Sequence, residues 1–242
     1  MSKFVALLLL FFPTCILSLF FQLIRCSRVK IGKGVKVGFS WVDSREIVLH
    51  DNSKIGNFNL IKVRRFELDG GGKIRHGNMF FGDIDVIFRE GAWMHSFNKV
   101  SGSSLYKQNR FELGRRSAII MHHLFNVTDN IIIGSDTIIA GVGSQIWTHA
   151  FILGEEKQVR VDGEVTVGDK VYIGARSVIC AGVHVCNHAV IGANTTVTKD
   201  ISISGLYCNQ PMRFIPYEEN NVIEKLGEEV AMGVYSKTFK KD

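Results

Sequence analysis

A six-residue spacing of aliphatic side chains constrains the fold of this chain more than any other feature. Seven positions carry valine or isoleucine at that spacing without a miss: Val167, Ile173, Ile179, Val185, Ile191, Val197 and Ile203. Six residues rotate an α-helix by about 600°, so these side chains would drift around a helix axis. A plain strand would need alternation every two residues. The spacing therefore predicts short strands separated by corners and stacked as a coil, with these side chains pointing to its axis.

The same spacing occurs earlier in the chain with shifts of phase. The matching positions are Ile31, Val37, Leu49, Ile55 and Ile61 in one register, Leu68, Ile74, Phe80, Val86 and Ala92 in a second, Leu113 and Ile119 in a third, and Ile133 and Ile139 in a fourth. Shifts of phase indicate insertions, and we predict protruding loops near residues 93–112, 121–132 and 141–166. Insertions in solenoids commonly carry the function, because the coils themselves are scaffold. The repeat ends near Ser204, and the segment Tyr217–Met232 is expected to form a short helix that covers the open end of the coil.

The segment Phe4–Ile24 has 21 residues and no charged side chain. A helix needs about 20 apolar residues to span a bilayer, whereas a cleaved signal peptide has an apolar region of about 7–15 residues and a small-x-small cleavage site. We therefore predict an uncleaved N-terminal membrane helix. Lys3 precedes the segment and more basic residues follow it, which places the main domain on the cytoplasmic side. Pro13 leaves open whether the segment spans the bilayer or turns back within it.

The net charge of +6 is concentrated directly after this apolar segment. Between Arg25 and Arg75 there are 12 lysine and arginine residues against 5 aspartate and glutamate residues. The excess indicates an anionic membrane surface or a phosphate-bearing ligand, with a solvated protein face as the alternative. Nucleic acid is not expected as a partner, because no aromatic-basic platform or recognition helix accompanies the charge.

Two segments carry a resemblance to a known family. VTVGDKVYIGARSVICAGVHVCNHAVIGANTTVTKDISISGLYCNQPMRFI is similar to the C-terminal half of the hexapeptide-repeat acyltransferases. IIIGSDTIIAGVGSQIWTHAF resembles the catalytic region of the members that O-acetylate bacterial polysaccharides. The resemblance covers residues 113–215 well and residues 29–112 loosely, and it is not specific for a substrate.

The resemblance implies an all-β fold, a left-handed parallel β-helix with three hexapeptides in each triangular turn. It implies a homotrimer with active sites between neighbouring subunits, and acetyl-CoA or a related acyl-CoA as the donor. The chain would then divide into an N-terminal membrane-anchoring segment, 1–28, an acyltransferase domain with inserted loops, 29–215, and a C-terminal helical tail, 216–242.

His149 is the first candidate for the catalytic base. It lies in SQIWTHAF, at the mouth of the longest predicted insertion, where the family places its histidine. A sugar hydroxyl is a poor nucleophile at neutral pH, and a neutral imidazole can take its proton as the oxygen attacks the thioester. A backbone N–H group would then stabilise the tetrahedral oxyanion. The alternative is a surface histidine in a turn.

Four further candidates lie in the same regions. His122 and His123, in MHHLFNVTDN, are expected to contact the acceptor and to act with His149, respectively, with a structural role as the alternative for both. Asp129 is a candidate to orient an imidazole by accepting a hydrogen bond from its second nitrogen. Trp147 offers a platform for a sugar ring or for the pantetheine arm of the donor, or else packs at a subunit interface.

The resemblance also implies residues that bind acetyl-CoA. Ala175 and Ala193 match small positions along which the pantetheine arm runs. Lys199, in VTKD, and Arg213, after Pro211, match basic positions that meet the phosphates of the donor through charge-assisted hydrogen bonds. A solvated side chain is the alternative for either one, and no metal ligand is expected.

These features together predict transfer of an acetyl group to a sugar hydroxyl in surface polysaccharide or lipid-linked glycan biosynthesis, because a membrane segment would hold the enzyme beside such acceptors. An N-acyltransferase acting on a nucleotide-linked amino sugar is the nearest alternative. A non-enzymatic solenoid scaffold is another. A zinc carbonic anhydrase with the same coil would need three histidine ligands, and the spacing of His122, His123 and His149 does not fit that family.

Overall fold

The computed structural model describes residues 28–104, 107–153, 158–209, 213–215, 228–231 and 234–236. The predicted N-terminal membrane helix and the orientation inferred from it lie outside these ranges. Across the ranges described, the protein forms no helix of the length and apolarity that a bilayer crossing requires.

The described chain is a parallel β-solenoid of eight complete turns, in which each turn contributes one strand to each of three ladders. Strands are numbered in chain order. The first ladder contains Val29–Ile31 (β1), Glu46–Leu49 (β4), the C-terminal halves of Leu60–Leu68 (β6) and Met79–Phe88 (β8), Arg110–Leu113 (β11), Ile131–Ile133 (β14), Val165–Val167 (β19) and His184–Val185 (β22).

The other two ladders are built in the same way. The second contains Lys36–Val37 (β2), Lys54–Ile55 (β5), Lys73–Ile74 (β7), Trp93–Met94 (β9), Ala118–Met121 (β12), Ile138–Val142 (β15), Tyr172–Ile173 (β20), Val190–Ile191 (β23) and Leu206–Cys208 (β25). The third contains Trp41–Val42 (β3), the N-terminal halves of β6 and β8, Lys99–Gly102 (β10), Leu124–Val127 (β13), Gln145–Trp147 (β16), Val178–Ile179 (β21) and Thr196–Val197 (β24).

The six-residue spacing gives three strands per turn, as predicted. In the last turns, paired residues are 18 positions apart, as in Tyr172 with Val190 and Val178 with Thr196. The aliphatic side chains from 167 to 197 are buried. Ile203 is an exception, because it is 60% exposed and Ile201 takes the inward position. The final turn is shorter, since Val185 pairs with Ile201, and the six-residue phase slips there. The left hand of the coil stays a prediction from the resemblance.

The core of the middle turns contains phenylalanine in place of valine. Five buried rings follow one another through the interior with centroids 5.1–6.1 Å apart: Phe66, Phe80, Phe88, Phe111 and Phe125. These turns are longer than the regular turns near the C-terminal end, as shown by the pairing of Asp85 with Arg110. Phenylalanine side chains fill the interior of these turns, which keeps it close-packed.

A column of buried polar residues marks the corner between the second and third ladders. We call this column the corner ladder, and its members are Ser40, Asn59, Asn78, Asn98, His123, Ser144, Ser177 and Thr195. Each member accepts a hydrogen bond from the backbone N–H of the next, at 2.9–3.4 Å. The backbone groups that a corner leaves without strand partners are satisfied in this way, as burial demands.

The structure corrects the predicted loops. Most of 93–112 belongs to the coil through β9, β10 and β11, and 121–132 belongs to it through β13 and β14. Within 141–166, β16 is part of the coil, and the insertion is an antiparallel hairpin of His149–Leu153 (β17) and Gln158–Asp162 (β18). The phase shifts therefore reflect coil turns of unequal length, as well as the hairpin insertion.

The helix predicted for 217–232 is wrong where the structure describes it. Residues Glu228–Ala231 (β27) form a strand that pairs antiparallel with Val234–Ser236 (β28). Ahead of them, Arg213–Ile215 (β26) runs antiparallel to β25 and ends the second ladder. The four residues Glu228 to Ala231 are too few for their pattern to distinguish the period of a strand from that of a helix.

Candidate functional site

The candidate site is built at the root of the hairpin, where the sixth turn leaves the third ladder. His149 is the first residue of β17 and is half-buried. Its Nδ1 atom lies 2.8 Å from the side-chain oxygen of Asn126. An amide oxygen only accepts hydrogen bonds, so His149 Nδ1 carries the proton and donates it. The other ring nitrogen, Nε2, is therefore the basic atom of the imidazole.

Two aromatic rings hold the plane of this imidazole. Trp147, the last residue of β16, and Phe151, in β17, lie two residues before and after His149. Both contact the imidazole edge-to-face, with centroid separations of 5.9 Å and 5.5 Å. Trp147 is itself fixed, because its Nε1 donates to the Gln145 side-chain oxygen at 2.8 Å. The side chain of His149 is thus held from both sides and from Nδ1.

Thr148 anchors the root of the hairpin. Its side chain is fully buried, and its hydroxyl accepts from the backbone N–H groups of Thr128 and Asp129 at 2.8 and 3.0 Å and donates to the Asn126 carbonyl at 2.7 Å. The residue next to the candidate base is therefore bonded to the same strand end that supplies Asn126.

Asp162 lies across the hairpin from His149. The two residues are paired in the antiparallel register, and the Asp162 side chain is only 7% exposed and forms an ion pair with Arg160 at 2.7 Å. Arg160 thereby balances a carboxylate that is nearly removed from water.

Asn126 was not identified from the sequence, and Asp129 was predicted in its role. The Asp129 carboxylate is buried and faces Lys107, whose Nζ lies 2.6 Å away. It also accepts from the backbone N–H of Asn130. Asn126 lies opposite Trp147 in neighbouring strands, which brings it to His149. The number of residues between β13 and β16 determines that Asn126 pairs with Trp147. No local sequence pattern indicates this pairing.

His123 lies in the interior and not at the candidate site. It is 1% exposed, and its Nδ1 accepts from the Ser144 backbone N–H at 3.0 Å as a member of the corner ladder. Burial lowers the pKa of His123 to about 4. The Gly141 backbone is close enough to act on this ring, yet Nε2 makes no hydrogen bond of good geometry to any residue described. The geometry supports the structural alternative for His123.

His122 is exposed and occupies the same corner as His123. It has a left-handed backbone, with φ of 57°, and its ring stacks on Phe97 at a centroid distance of 5.2 Å. The corner of His122 precedes the third ladder, whereas His149 follows it. The structure of one chain therefore does not bring His122 and His149 to the same place.

The residues predicted to bind acetyl-CoA do not all lie at one place in the chain, because they occupy both edges of the third ladder. Ala175 and Ala193 lie at the corner that precedes it, on successive turns, and the N–H of Asn194 donates to the Ala175 carbonyl at 2.8 Å. Lys199 is exposed and follows β24, at the corner that His149 occupies two turns earlier. Arg213 begins β26, opposite Cys208.

Part of the repeat matches a family model. Residues 164–199 match the family described as hexapeptide repeat of succinyl-transferase. The chain is 30% identical over 119 residues to the putative acetyltransferase YvoF of Bacillus subtilis, covering 48% of this chain and 66% of that protein. It is 27% identical over 132 residues to the galactoside O-acetyltransferase of Escherichia coli, covering 52% of this chain and 61% of that protein. The match spans less than two thirds of either relative.

Among solved structures, the polySia specific acetyltransferase NeuO is 21% identical and aligns over 76% of this chain and 83% of its own, with a TM-score of 0.49. The predicted resemblance is confirmed by the match over 164–199 and by the acetyltransferases among the relatives. The chain is thus a hexapeptide-repeat β-solenoid, as its sequence spacing, its three parallel ladders and its matched repeat agree.

Proposed function

We propose that this protein is an acetyltransferase that moves an acetyl group from acetyl-CoA to a hydroxyl group of a sugar. The observation that carries the proposal is the hydrogen bond from His149 Nδ1 to the Asn126 oxygen. It fixes the tautomer that leaves Nε2 free to accept a proton. The acetyltransferases among the relatives support the reaction class.

The proposed chemistry needs one proton to move twice. His149 Nε2 takes the proton of the attacking hydroxyl as the new C–O bond forms, and it returns that proton to the sulfur when the C–S bond breaks. Asn126 cannot ionise, so it keeps Nδ1 protonated throughout and acts as a positioning residue. Trp147, whose ring borders the imidazole, is the proposed platform for the acceptor sugar.

The pantetheine arm of the donor is proposed to run along the alanine edge, where Ala175 and Ala193 admit it. Its phosphates are proposed to meet Arg213 and Lys199, of which Lys199 lies at the other edge of the third ladder. Because the alanines and His149 lie at opposite edges of the third ladder, a site assembled from two subunits of a homotrimer would complete it. The hairpin supports such an assembly, since Phe151, Ile152 and Leu153 are exposed to solvent in the single chain and apolar surface of this kind favours contact with a partner.

The acceptor is proposed to be a surface polysaccharide or a lipid-linked glycan. The apolar segment 4–24 supports this, since a membrane anchor would bring the domain to such acceptors from the cytoplasmic side. An amino sugar linked to a nucleotide is the second acceptor class to test.

Transfer assays on the full chain test the proposal. Acetyl-CoA should raise the melting temperature by binding the folded state. The variant His149→Gln should keep that rise and lose transfer by a factor of about 10² to 10⁴, the usual contribution of a general base. His184→Gln removes an exposed histidine that bonds Thr166 and serves as the matched control. The pair Lys199→Ala and Arg213→Ala should weaken the rise.

Substitutions at Asn126 distinguish a role in positioning the His149 ring from a role in folding. Asn126→Asp retains an oxygen that accepts from Nδ1 and should retain most of the transfer rate. Asn126→Leu frees the ring and should lower kcat by about 100-fold, since a misplaced catalytic group can cost that much, with little effect on KM. Normal transfer by His149→Gln would refute the assignment of the base. Absence of any response to acetyl-CoA would favour the scaffold alternative.

A further inference from the structure

Three side chains of types that bind metal ions converge on the outer surface of the second and third turns. They are His50, Glu67 and Asp69, and their ligand atoms all lie within 4.8 Å of one another. His50 Nε2 lies 3.4 Å from Glu67 Oε1 and 3.4 Å from Asp69 Oδ1. We call these three residues the outer cluster.

The register of the first ladder brings the outer cluster together. Leu49, at the end of β4, pairs with Leu68, at the end of β6. The residues that follow them, His50 and Asp69, therefore lie side by side on neighbouring turns, about 4.8 Å apart. Glu67 and Asp69 are two residues apart, and side chains at that spacing point to the same face of a strand. A ligand held by all three residues would join the second turn of the coil to the third.

The spacing within the outer cluster suits a bound ion better than direct hydrogen bonds. An N–H···O hydrogen bond spans about 2.7–3.2 Å, and both contacts of His50 Nε2 are longer, at 3.4 Å. Two ligands that are each about 2.1 Å from a tetrahedral zinc ion are about 3.4 Å from one another. The imidazole nitrogen is therefore as far from each carboxylate oxygen as two ligands of one zinc ion are.

Two arginine side chains hold the carboxylates of the outer cluster from behind. Arg65 Nη2 donates to Glu67 Oε2 at 2.7 Å, and Arg89 Nη1 lies 3.9 Å from Asp69 Oδ2. In both carboxylates, the oxygen nearest to His50 is the one that the arginine does not contact. Contacts of this kind orient metal-binding carboxylates from outside the coordination sphere.

The charges around the outer cluster leave an excess of carboxylates. One continuous series of ion pairs contains four carboxylates and three guanidinium groups, which belong to Glu46, Glu67, Asp69 and Glu112 and to Arg65, Arg89 and Arg110. One negative charge therefore remains while His50 is neutral. Either a metal ion bound to neutral His50 or a protonated His50 would compensate it, and these two explanations make different predictions.

The chemistry of the ligand atoms selects zinc among the common divalent ions. Zinc binds imidazole nitrogen and carboxylate oxygen together, whereas calcium and magnesium take oxygen ligands. The His50 side chain is 49% exposed, so water can reach the ion as a fourth ligand.

We propose that the outer cluster binds one Zn²⁺ ion, with water as the fourth ligand, and that the ion fastens the second turn of the coil to the third. The corner that carries His50 lies between the first and second ladders. It carries none of the residues proposed above to meet a second subunit, since Ala175 and Ala193 precede the third ladder and His149 follows it. This inference does not rest on the acetyl transfer reaction, and its test uses no catalytic readout.

Zinc titration of the full chain tests the proposal. The protein is freed of metal with a chelator, and Zn²⁺ binding is then followed by calorimetry and by the melting temperature. One ion per chain should bind and raise the melting temperature, because it binds the folded state, and Mg²⁺ at the same concentration should leave the melting temperature unchanged. His50→Gln and Glu67→Gln should each weaken zinc binding at least 10-fold, since each removes one of three ligands and even the loss of an outer-shell partner costs about 10- to 100-fold.

His188→Asn is the matched control. It removes an exposed histidine at the same corner of a later turn, and asparagine tolerates the φ of 61° at that position, so this variant should bind zinc as the wild type does. X-ray absorption at the zinc edge of the wild-type protein, which needs no variant, should show one imidazole nitrogen with oxygen ligands at about 2.0–2.2 Å.

Three results would overturn the proposal. Equal zinc affinity of wild type and His50→Gln would place the ion elsewhere on the chain. Equal stabilisation by Mg²⁺ would refute the assignment of the ion. Absence of zinc binding by the wild type would leave the outer cluster as an ion pair between a protonated His50 and the two carboxylates.

Discussion

Replacing His123 with asparagine tests the corner ladder through the pH dependence of stability. Burial lowers the pKa of His123 from 6.5 to about 4. The unfolded chain therefore protonates this histidine below about pH 6.5, while the folded chain keeps it neutral until the pH approaches 4. The contribution of the neutral ring to stability is fully present above the unfolded pKa, and it is lost as the pH falls toward the folded pKa.

The expected loss follows from the two pKa values. At about 1.4 kcal/mol per pKa unit, the fall from 6.5 to about 4 corresponds to roughly 3 kcal/mol of unfolding free energy between pH 7 and pH 4. Asparagine does not titrate, and it already occupies the ladder in three preceding turns, at positions 59, 78 and 98. His123→Asn should therefore fold at pH 7 and escape this loss.

Urea unfolding at several values between about pH 7 and pH 4 measures the effect. The other carboxylates and histidines titrate alike in both proteins, so the difference between wild type and variant isolates His123. The unfolding free energies of the two proteins should converge, or cross, as the pH falls. Parallel curves over the whole range would mean that His123 protonates as readily in the folded protein, and the buried ladder would be refuted at that turn.

Two further predictions concern stability. Thr148→Val keeps the shape of a fully buried side chain but leaves three backbone groups at the hairpin root without their partner, and it should cost about 2–4 kcal/mol in urea unfolding. An unchanged midpoint would show that the hairpin root is open to water. Gly82→Ala should prevent folding, because an added Cβ would overlap the Gly102 carbonyl and the backbone has φ of 116°. Gly71→Ala is its control, since it has φ of 70° and open space around it, and should cost only about 1 kcal/mol; equal melting temperatures of the two variants would contradict the close approach of the strands.

The regular end of the coil was readable from the sequence because its turns have a constant length. Each of those turns holds three six-residue units, so every inward position recurs at the same interval, and Val167 to Val197 reveal it directly. In the middle of the coil the turns differ in length, as the pairing of Leu68 with Phe88 and then of Phe88 with Leu113 shows, so the aliphatic phase shifts at each corner. Those shifts predict loops from the sequence alone, whereas in the structure β10, β11 and β13 continue the coil.

The sequence singles out His149 as the candidate base because its local context is distinctive, but it gives no such signal for Asn126. His149 follows Trp147 at the start of the hairpin insertion. Asn126 lies in the preceding turn, and only the register of β13 with β16 brings it within hydrogen-bond distance. Asp129 and His123 are reasonable candidates by residue type. In the structure the Asp129 carboxylate forms an ion pair with Lys107, and the His123 ring is buried in the interior.

The sequence by itself determined that this chain stacks short strands into a coil with an aliphatic interior, because the six-residue spacing of the buried side chains can be seen directly in the sequence. The tertiary structure alone decided which polar side chains meet across turns. The separation along the chain between paired residues varies widely, from the pairing of Val190 with Leu206 to that of Ile131 with Val165, and no local preference encodes it. The length of each turn therefore brings Asn126 to His149 and places His123 in the corner ladder.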